Sequence, residues 1–305
     1  MRWKRFGIYL TIALVLFFAG DRLGALALDA IASNSKNRFS RLYAGQAETE
    51  ILMIGNSRGV NAIFSPSTQK RTGLRAFNLS YNGMGVQVVE AVLKDYLEHN
   101  PPPKLLLLEV TNLADNRSLL LNLKQFTGRS ERLADLMRET YPKVYYESEL
   151  SHLYRYNNEF FLRSLYHLRQ DDQWWINRYS MSEEAARAFE PDPAAFASFV
   201  NIPEAHWAAL ESVVDLYRAR GVDVRLLLSP YFPKYIATDA NFEKFRADVK
   251  TWAAERNLEV LDYAAAVAGW KNFADPLHLN ERGSELLLEQ LIRDGVLPEA
   301  AQKSD

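Results

Sequence analysis

Residues 51–58 read Ile51-Leu52-Met53-Ile54-Gly55-Asn56-Ser57-Arg58, a four-residue apolar run closed by a glycine turn. A run this short and rich in branched residues, with no polar alternation, is the pattern of a strand buried on both faces of a parallel sheet. Gly55 permits the bend that follows, and the turn presents Ser57 at the sheet edge. Four more runs of the same kind come later, at residues 74–79, 104–110, 222–228 and 258–261. Helical patterns separate them. Residues 86–99 stop at Asn100-Pro101-Pro102-Pro103, and residues 204–220 align Trp207, Leu210, Val214 and Tyr217 on one stripe before Gly221. Residues 242–257 repeat the spacing with Phe245, Val249 and Trp252, and residues 284–293 close the series. Strand alternating with helix predicts an α/β fold, a doubly wound parallel five-stranded sheet.

One stretch breaks the alternation. Residues 113–200 carry helical patterning and many aromatic side chains, from Tyr141 to Tyr179, but no strand. They are expected to form a helical insertion between the third and fourth strands, with a sub-core packed on the sheet as its simplest role and a substrate-facing lid as the alternative.

The N-terminus is of another kind. Arg2, Lys4 and Arg5 precede residues 6–20 (FGIYLTIALVLFFAG), which carry no charge. Fifteen helical residues reach about 22 Å, short of the ~30 Å hydrocarbon core, so a span needs the apolar residues 23–32 beyond Asp21 and Arg22. Residues 1–32 are therefore expected to be a membrane anchor, with the residues from about 33 onward in the periplasm or extracytoplasmic space by the positive-inside rule. The alternative is secretion after signal cleavage, because Ala25-Leu26-Ala27 and Ala30-Ile31-Ala32 both have the small-x-small form. The domain would then run over residues 33–298, with a tail at 299–305. A mean hydropathy of -0.24 conceals this segment by averaging it with the rest.

Composition narrows the partners. With 36 Lys plus Arg against 38 Asp plus Glu, the net charge of -2 gives no reason to expect nucleic acid. The absence of cysteine removes thiolate chemistry and Cys-based zinc sites but leaves the redox compartment open. His99, His152, His167 and His206 have no tight ligand spacing, so neither a metal nor another cofactor is expected.

Ligands of an open parallel sheet bind where its strands end, so the loops after the strands hold the candidates. These are Gly55-Asn56-Ser57-Arg58, Asn78-Leu79-Ser80-Tyr81-Asn82-Gly83, Thr111-Asn112, and Asp275-Pro276-Leu277-His278. A serine hydroxyl needs a base to act as nucleophile and a carboxylate to orient that base, which Ser57, His278 and Asp275 can supply. Oxyanion donors would be the N–H groups of Ser57 and Gly83 and the Asn112 side-chain amide. Arg58 and Asn82 are candidate substrate-binding residues, with a surface ion pair as the alternative for Arg58.

These four blocks resemble those of the SGNH/GDSL hydrolase superfamily: ILMIGNSRG with Ser57, FNLSYNG with Gly83, LLLLEVTN with Asn112, and ADPLHLN with Asp275 and His278. The likeness covers about residues 50–112 and 222–294. Asn56 stands where the family usually has Asp, and Val110-Thr111-Asn112-Leu113 departs from its usual Gly-x-Asn-Asp. The resemblance implies a flavodoxin-like SGNH fold and serine esterase or O-acyltransferase chemistry. Together with the N-terminal segment it is similar to the membrane-anchored members associated with polysaccharide O-acetylation. The implied partners are an acyl-ester or acyl-carrier donor, a glycan acceptor and a multi-span membrane O-acyltransferase. The alternatives are an esterase of lipids or small esters and a non-catalytic glycan-binding or scaffold protein.

Overall fold

A computed structural model of the chain describes residues 2–113, 118–192, 195–237 and 239–300, with the side chains of Arg2 and Asn112 left out. The five apolar runs form one parallel sheet: β1 (Ile51–Ile54), β2 (Ala76–Asn78), β3 (Leu105–Glu109), β4 (Asp223–Leu228) and β5 (Glu259–Asp262), in the order β2-β1-β3-β4-β5. The predicted doubly wound sheet is thus borne out. Each pair is in simple register, Leu52 beside Leu106 and Leu106 beside Val224.

An alternation hides inside the unbroken apolar runs. Leu52, Ile54, Leu106, Leu108, Leu226 and Leu228 face one core with helices Val86–His99, Glu204–Arg218 and Ala240–Glu255. Ile51, Met53, Leu105, Leu107, Leu227 and Leu261 face a second core with Ala62, Ile63 and helix Glu281–Arg293. Both parities are apolar because both faces are covered.

Between β3 and β4 the chain is helical, as expected, and its side chains enter the first core: Leu133, Met137 and Phe160 are buried there with Phe39 and Phe126. Two of its residues also grip the sheet. The Gln173 amide accepts from Asn78 N at 2.7 Å and donates to Asn78 O at 3.1 Å, occupying the open side of the edge strand β2. Asp172 forms a buried bidentate pair with Arg38, whose Nη1 donates to Ser80 O.

The N-terminal helix is continuous over Arg2–Ser33 and is long and apolar enough to span a membrane. The apolar stretch continues through residues 23–32, where Leu23 and Leu26 remain exposed on one side of the helix. From Asp21 onward the helix docks on the protein, with Asp21 buried and Ala25 and Ala32 packed against Tyr156 and Phe161. The Asp21 carboxylate accepts from Ser151 Oγ and from the N–H groups of His152 and Leu153, so it caps the turn His152–Tyr156. At the other end, Ala300 N donates to Arg71 O, and the tail from 301 lies outside the described residues.

Candidate active site

Ser57 follows β1 directly and opens the short helix Ser57–Ala62, at the C-terminal edge where β1 separates β2 from β3. Such an edge is where open α/β sheets bind ligands. The turn is tight because Gly55 lies against β3: a Cβ there would come within 2.5 Å of Glu109 Cβ. Asn56 caps the helix by accepting from Arg58 N, and its own amide donates to Thr111 Oγ1 at 3.1 Å. Tyr81 N donates to Gly55 O, so the loops after β1, β2 and β3 meet at this point.

The fourth loop is a small antiparallel ribbon, β6 (Phe273–Asp275) and β7 (His278–Leu279), which sequence reading did not foresee. Asp275 and His278 are paired across its two-residue turn. Asp275 Oδ1 accepts from the N–H groups of Leu277 and His278, fixing the turn through its own side chain. The carboxylate is thereby also placed against the ring: His278 Nδ1 lies 2.9 Å from both Asp275 oxygens, and Nε2 lies 2.8 Å from Ser57 Oγ. With a carboxylate at Nδ1, the proton resides there and Nε2 is left to accept from the serine O–H. Burial pushes the Asp275 carboxyl up, but the hydrogen bond and charge of His278 and the two N–H groups outweigh it and hold it below the ordinary range. The pair remains reachable from solvent, with the His278 side chain 20% and the Asp275 side chain 43% exposed.

Gly83 sits in the loop after β2 at φ +71°, a conformation that suits glycine. Among the described residues, neither its N–H nor that of Ser57 is engaged by an intramolecular acceptor. The Asn112 side chain, the third expected donor, lies outside the described residues. Asn82 is exposed and lines a narrow crevice with Val60, Tyr81, Arg163 and Trp175.

Arg58 is a correction. It is buried rather than facing substrate or solvent, because its guanidinium is used internally. Nη1 donates to Leu277 O at 2.5 Å, and Nη2 donates to Ser229 O and to Pro230 O. Nε stands 3.5 Å from Glu109 Oε1, and the group lies 3.2 Å from the centre of the Tyr231 ring. Glu109, at the end of β3, is fully buried; burial holds its carboxyl above the ordinary range, against the pull of Arg58, Thr111 and Ser229. Arg58 therefore joins the Ser57 turn to the loop that carries His278. Glu109 was absent from the sequence reading, although a carboxylate closing the run Leu105-Leu106-Leu107-Leu108 is a visible anomaly.

No family model and no curated protein matches this chain. Among solved structures it is similar to a protein of Bacteroides fragilis NCTC 9343 provisionally described as an acylhydrolase, at 13% identity over 82% of this chain and 88% of that chain, with a TM-score of 0.39.

Proposed function

We propose that the chain is a serine acyl-transfer enzyme of SGNH type that adds or removes O-acetyl or similar short acyl groups on a cell-envelope glycan or exopolysaccharide. The observation that carries the reading is the unbroken relay from Ser57 Oγ through His278 to Asp275, open to solvent at the ligand-binding edge of the sheet. In the first step Ser57 Oγ attacks the ester carbonyl carbon while His278 Nε2 takes the hydroxyl proton. Asp275 keeps the ring in the required tautomer and balances the imidazolium. The N–H groups of Ser57 and Gly83 are the available donors for the tetrahedral oxyanion. Collapse expels the alcohol, protonated by His278, and leaves an acyl-serine. Attack by water, its proton returning through His278, gives an esterase; attack by a sugar hydroxyl gives a transferase.

The N-terminal helix places this chemistry at a membrane in our reading, with the domain outside the cytoplasm and the anchor retained. Retention is favoured because Asp21 and Asp29, which bond to the body of the protein, both precede the Ala30-Ile31-Ala32 cleavage signal, and Asp21 also precedes Ala25-Leu26-Ala27. A multi-span O-acyltransferase would be a natural donor-side partner for such an enzyme.

The test is covalent labelling by a fluorophosphonate followed by acetyl-ester turnover with and without candidate oligosaccharides. Labelling and turnover should both vanish in Ser57→Ala. Retained turnover in that variant would refute the assignment, and glycan binding without labelling of the wild-type chain would favour a non-catalytic role.

A further inference from the structure

The N-terminal helix leaves the body of the protein beside a group of exposed apolar side chains of the inserted helices, interspersed with the partly exposed Glu147 and Glu149. Tyr146 and Leu150 are each 62% exposed and Leu153 is 39% exposed, around the end of helix Pro142–Leu150. Their position relative to the apolar run is fixed by several contacts. Arg22 donates to Glu149 O and Leu150 O, each at 3.2 Å. The Asp21 carboxylate accepts from the N–H of His152 at 2.8 Å and of Leu153 at 3.2 Å. Gly24 lies so close to Leu153 that a Cβ would stand 3.1 Å from its Cδ2.

Asp21 and Arg22 come directly after Gly20, the last residue of the uncharged run. Residues 150–153 therefore lie within about one helical turn, roughly 5 Å, of the end of that run. The headgroup regions together add about 10–15 Å to a bilayer's ~30 Å hydrocarbon core, which is some 5–7 Å on each side. Counted from Trp3, where the candidate span begins, residues 3–20 reach about 27 Å, close to the hydrocarbon thickness, so a surface pinned at Arg22 lies at headgroup depth, where amphipathic aromatic side chains such as tyrosine concentrate. Leu23 and Leu26 of the same helix, 67% and 65% exposed, add apolar surface at the helix's emergence.

We propose that residues 146–153 form an interfacial foot, with Tyr146, Leu150 and Leu153 seated in the leaflet that faces the domain. The occupant is lipid because the continuous helix brings the bilayer to this surface. The foot and the anchor together give two points of attachment, so the domain is held at a set tilt and does not swing about a tether. The inference rests on the reading of the N-terminal helix as a membrane span.

The chain has no cysteine, so single-cysteine variants of the full-length protein can be labelled without background. Leu14→Cys, Leu150→Cys and Leu286→Cys, each carrying an environment-sensitive fluorophore, would be reconstituted in phosphatidylcholine–phosphatidylglycerol vesicles containing lipids spin-labelled at shallow or mid-chain depth. Leu286 is 41% exposed on helix Glu281–Arg293, on the opposite face of the sheet from Val144 and Tyr145 of helix Pro142–Leu150, and serves as reference. The expected result is mid-chain quenching at position 14, severalfold stronger shallow quenching at 150 than at 286, and blue-shifted emission at 150. Quenching at 14 with position 150 no different from 286 overturns the foot and leaves the span standing. No quenching at 14 overturns the span itself. A blue shift at 150 without lipid quenching means that protein covers the surface, which also overturns the proposal. Hydrogen exchange of the unsubstituted chain provides a label-free control: amides of residues 144–153 should exchange more slowly in vesicles than in detergent, and equal rates count against the foot.

Discussion

Replacing Arg58 with methionine removes one partner of a buried ion pair while keeping much of the side-chain volume. Glu109, with no exposed surface, would lose the cation beside it, and the carbonyls of Leu277, Ser229 and Pro230 would lose their donors. Breaking a buried pair on one side typically costs about 3–5 kcal/mol. At roughly 2–4 °C per kcal/mol for large domains, this is a fall in Tm of roughly 6–20 °C. Activity should suffer separately, because Leu277 lies in the two-residue turn between Asp275 and His278. A shift of about 1 Å in a reacting group can cost about 100-fold in rate. The double variant Arg58→Met with Glu109→Gln distinguishes the two effects. Removing both charges should restore the part of the stability lost to the unpaired carboxylate, but the three carbonyls stay without their donor, and kcat should stay low, since nothing then holds Leu277 O. The assays are thermal unfolding and steady-state turnover of an acetyl ester. A single variant with unchanged Tm and unchanged kcat would refute the reasoning. A rise in KM alone would instead return Arg58 to the substrate.

Other outcomes follow from the same geometry. Asp275→Asn should lower kcat by about 10⁴-fold, since an amide at Nδ1 no longer enforces the tautomer; stopped assays against wild type measure it. The same variant tests a linkage. The Asp275 carboxyl is held below its ordinary value of 3.8, so its contribution to stability is present above that value and lost as pH falls through the lower folded-state value. Thermal scans through the acid range should show a weaker acid-side decline in Asp275→Asn, and identical pH slopes would contradict the assignment. Gly55→Ala places a Cβ 2.5 Å from Glu109 Cβ and should destabilise by about 1–3 kcal/mol through overpacking, read from denaturant midpoints. Asp172→Asn weakens the buried tie to Arg38, whose other bond holds Ser80 O in the Gly83 loop. It should lower both Tm and turnover, and loss of neither would free that loop from dependence on the insertion.

The sheet was legible because strands covered on both faces must be apolar at every position. All five runs were found within two residues of their observed ends for that reason. Ser57, Asp275 and His278 were legible because a turn after a strand and an Asp-x-x-His spacing survive as local patterns. The ribbon that carries the last two was not, since strands of three and two residues have no period to detect. Arg58 was misread because the direction of a side chain depends on Glu109, Ser229 and Leu277, far from it in sequence. Asp21 was taken as an interruption of an apolar helix, when its carboxylate satisfies backbone groups some 130 residues later. Local pattern located the residues of the proposed relay, and long-range polar contacts that pattern cannot express decide how they are held.

The side-chain amide of Gln173, lying along β2, has a consequence for how the protein is made. The edge of the sheet is closed by a residue 95 positions beyond Asn78, so a chain emerging from the ribosome has β2 uncovered until the insertion arrives. Uncovered strand edges are where partly folded chains stick to one another. The same late arrival brings Asp172 to Arg38 and thereby secures the Gly83 loop. Completion of the edge and completion of the loop both wait on the same segment, so premature copies would be adhesive and, under the proposed function, inert, and turnover would then report folding yield.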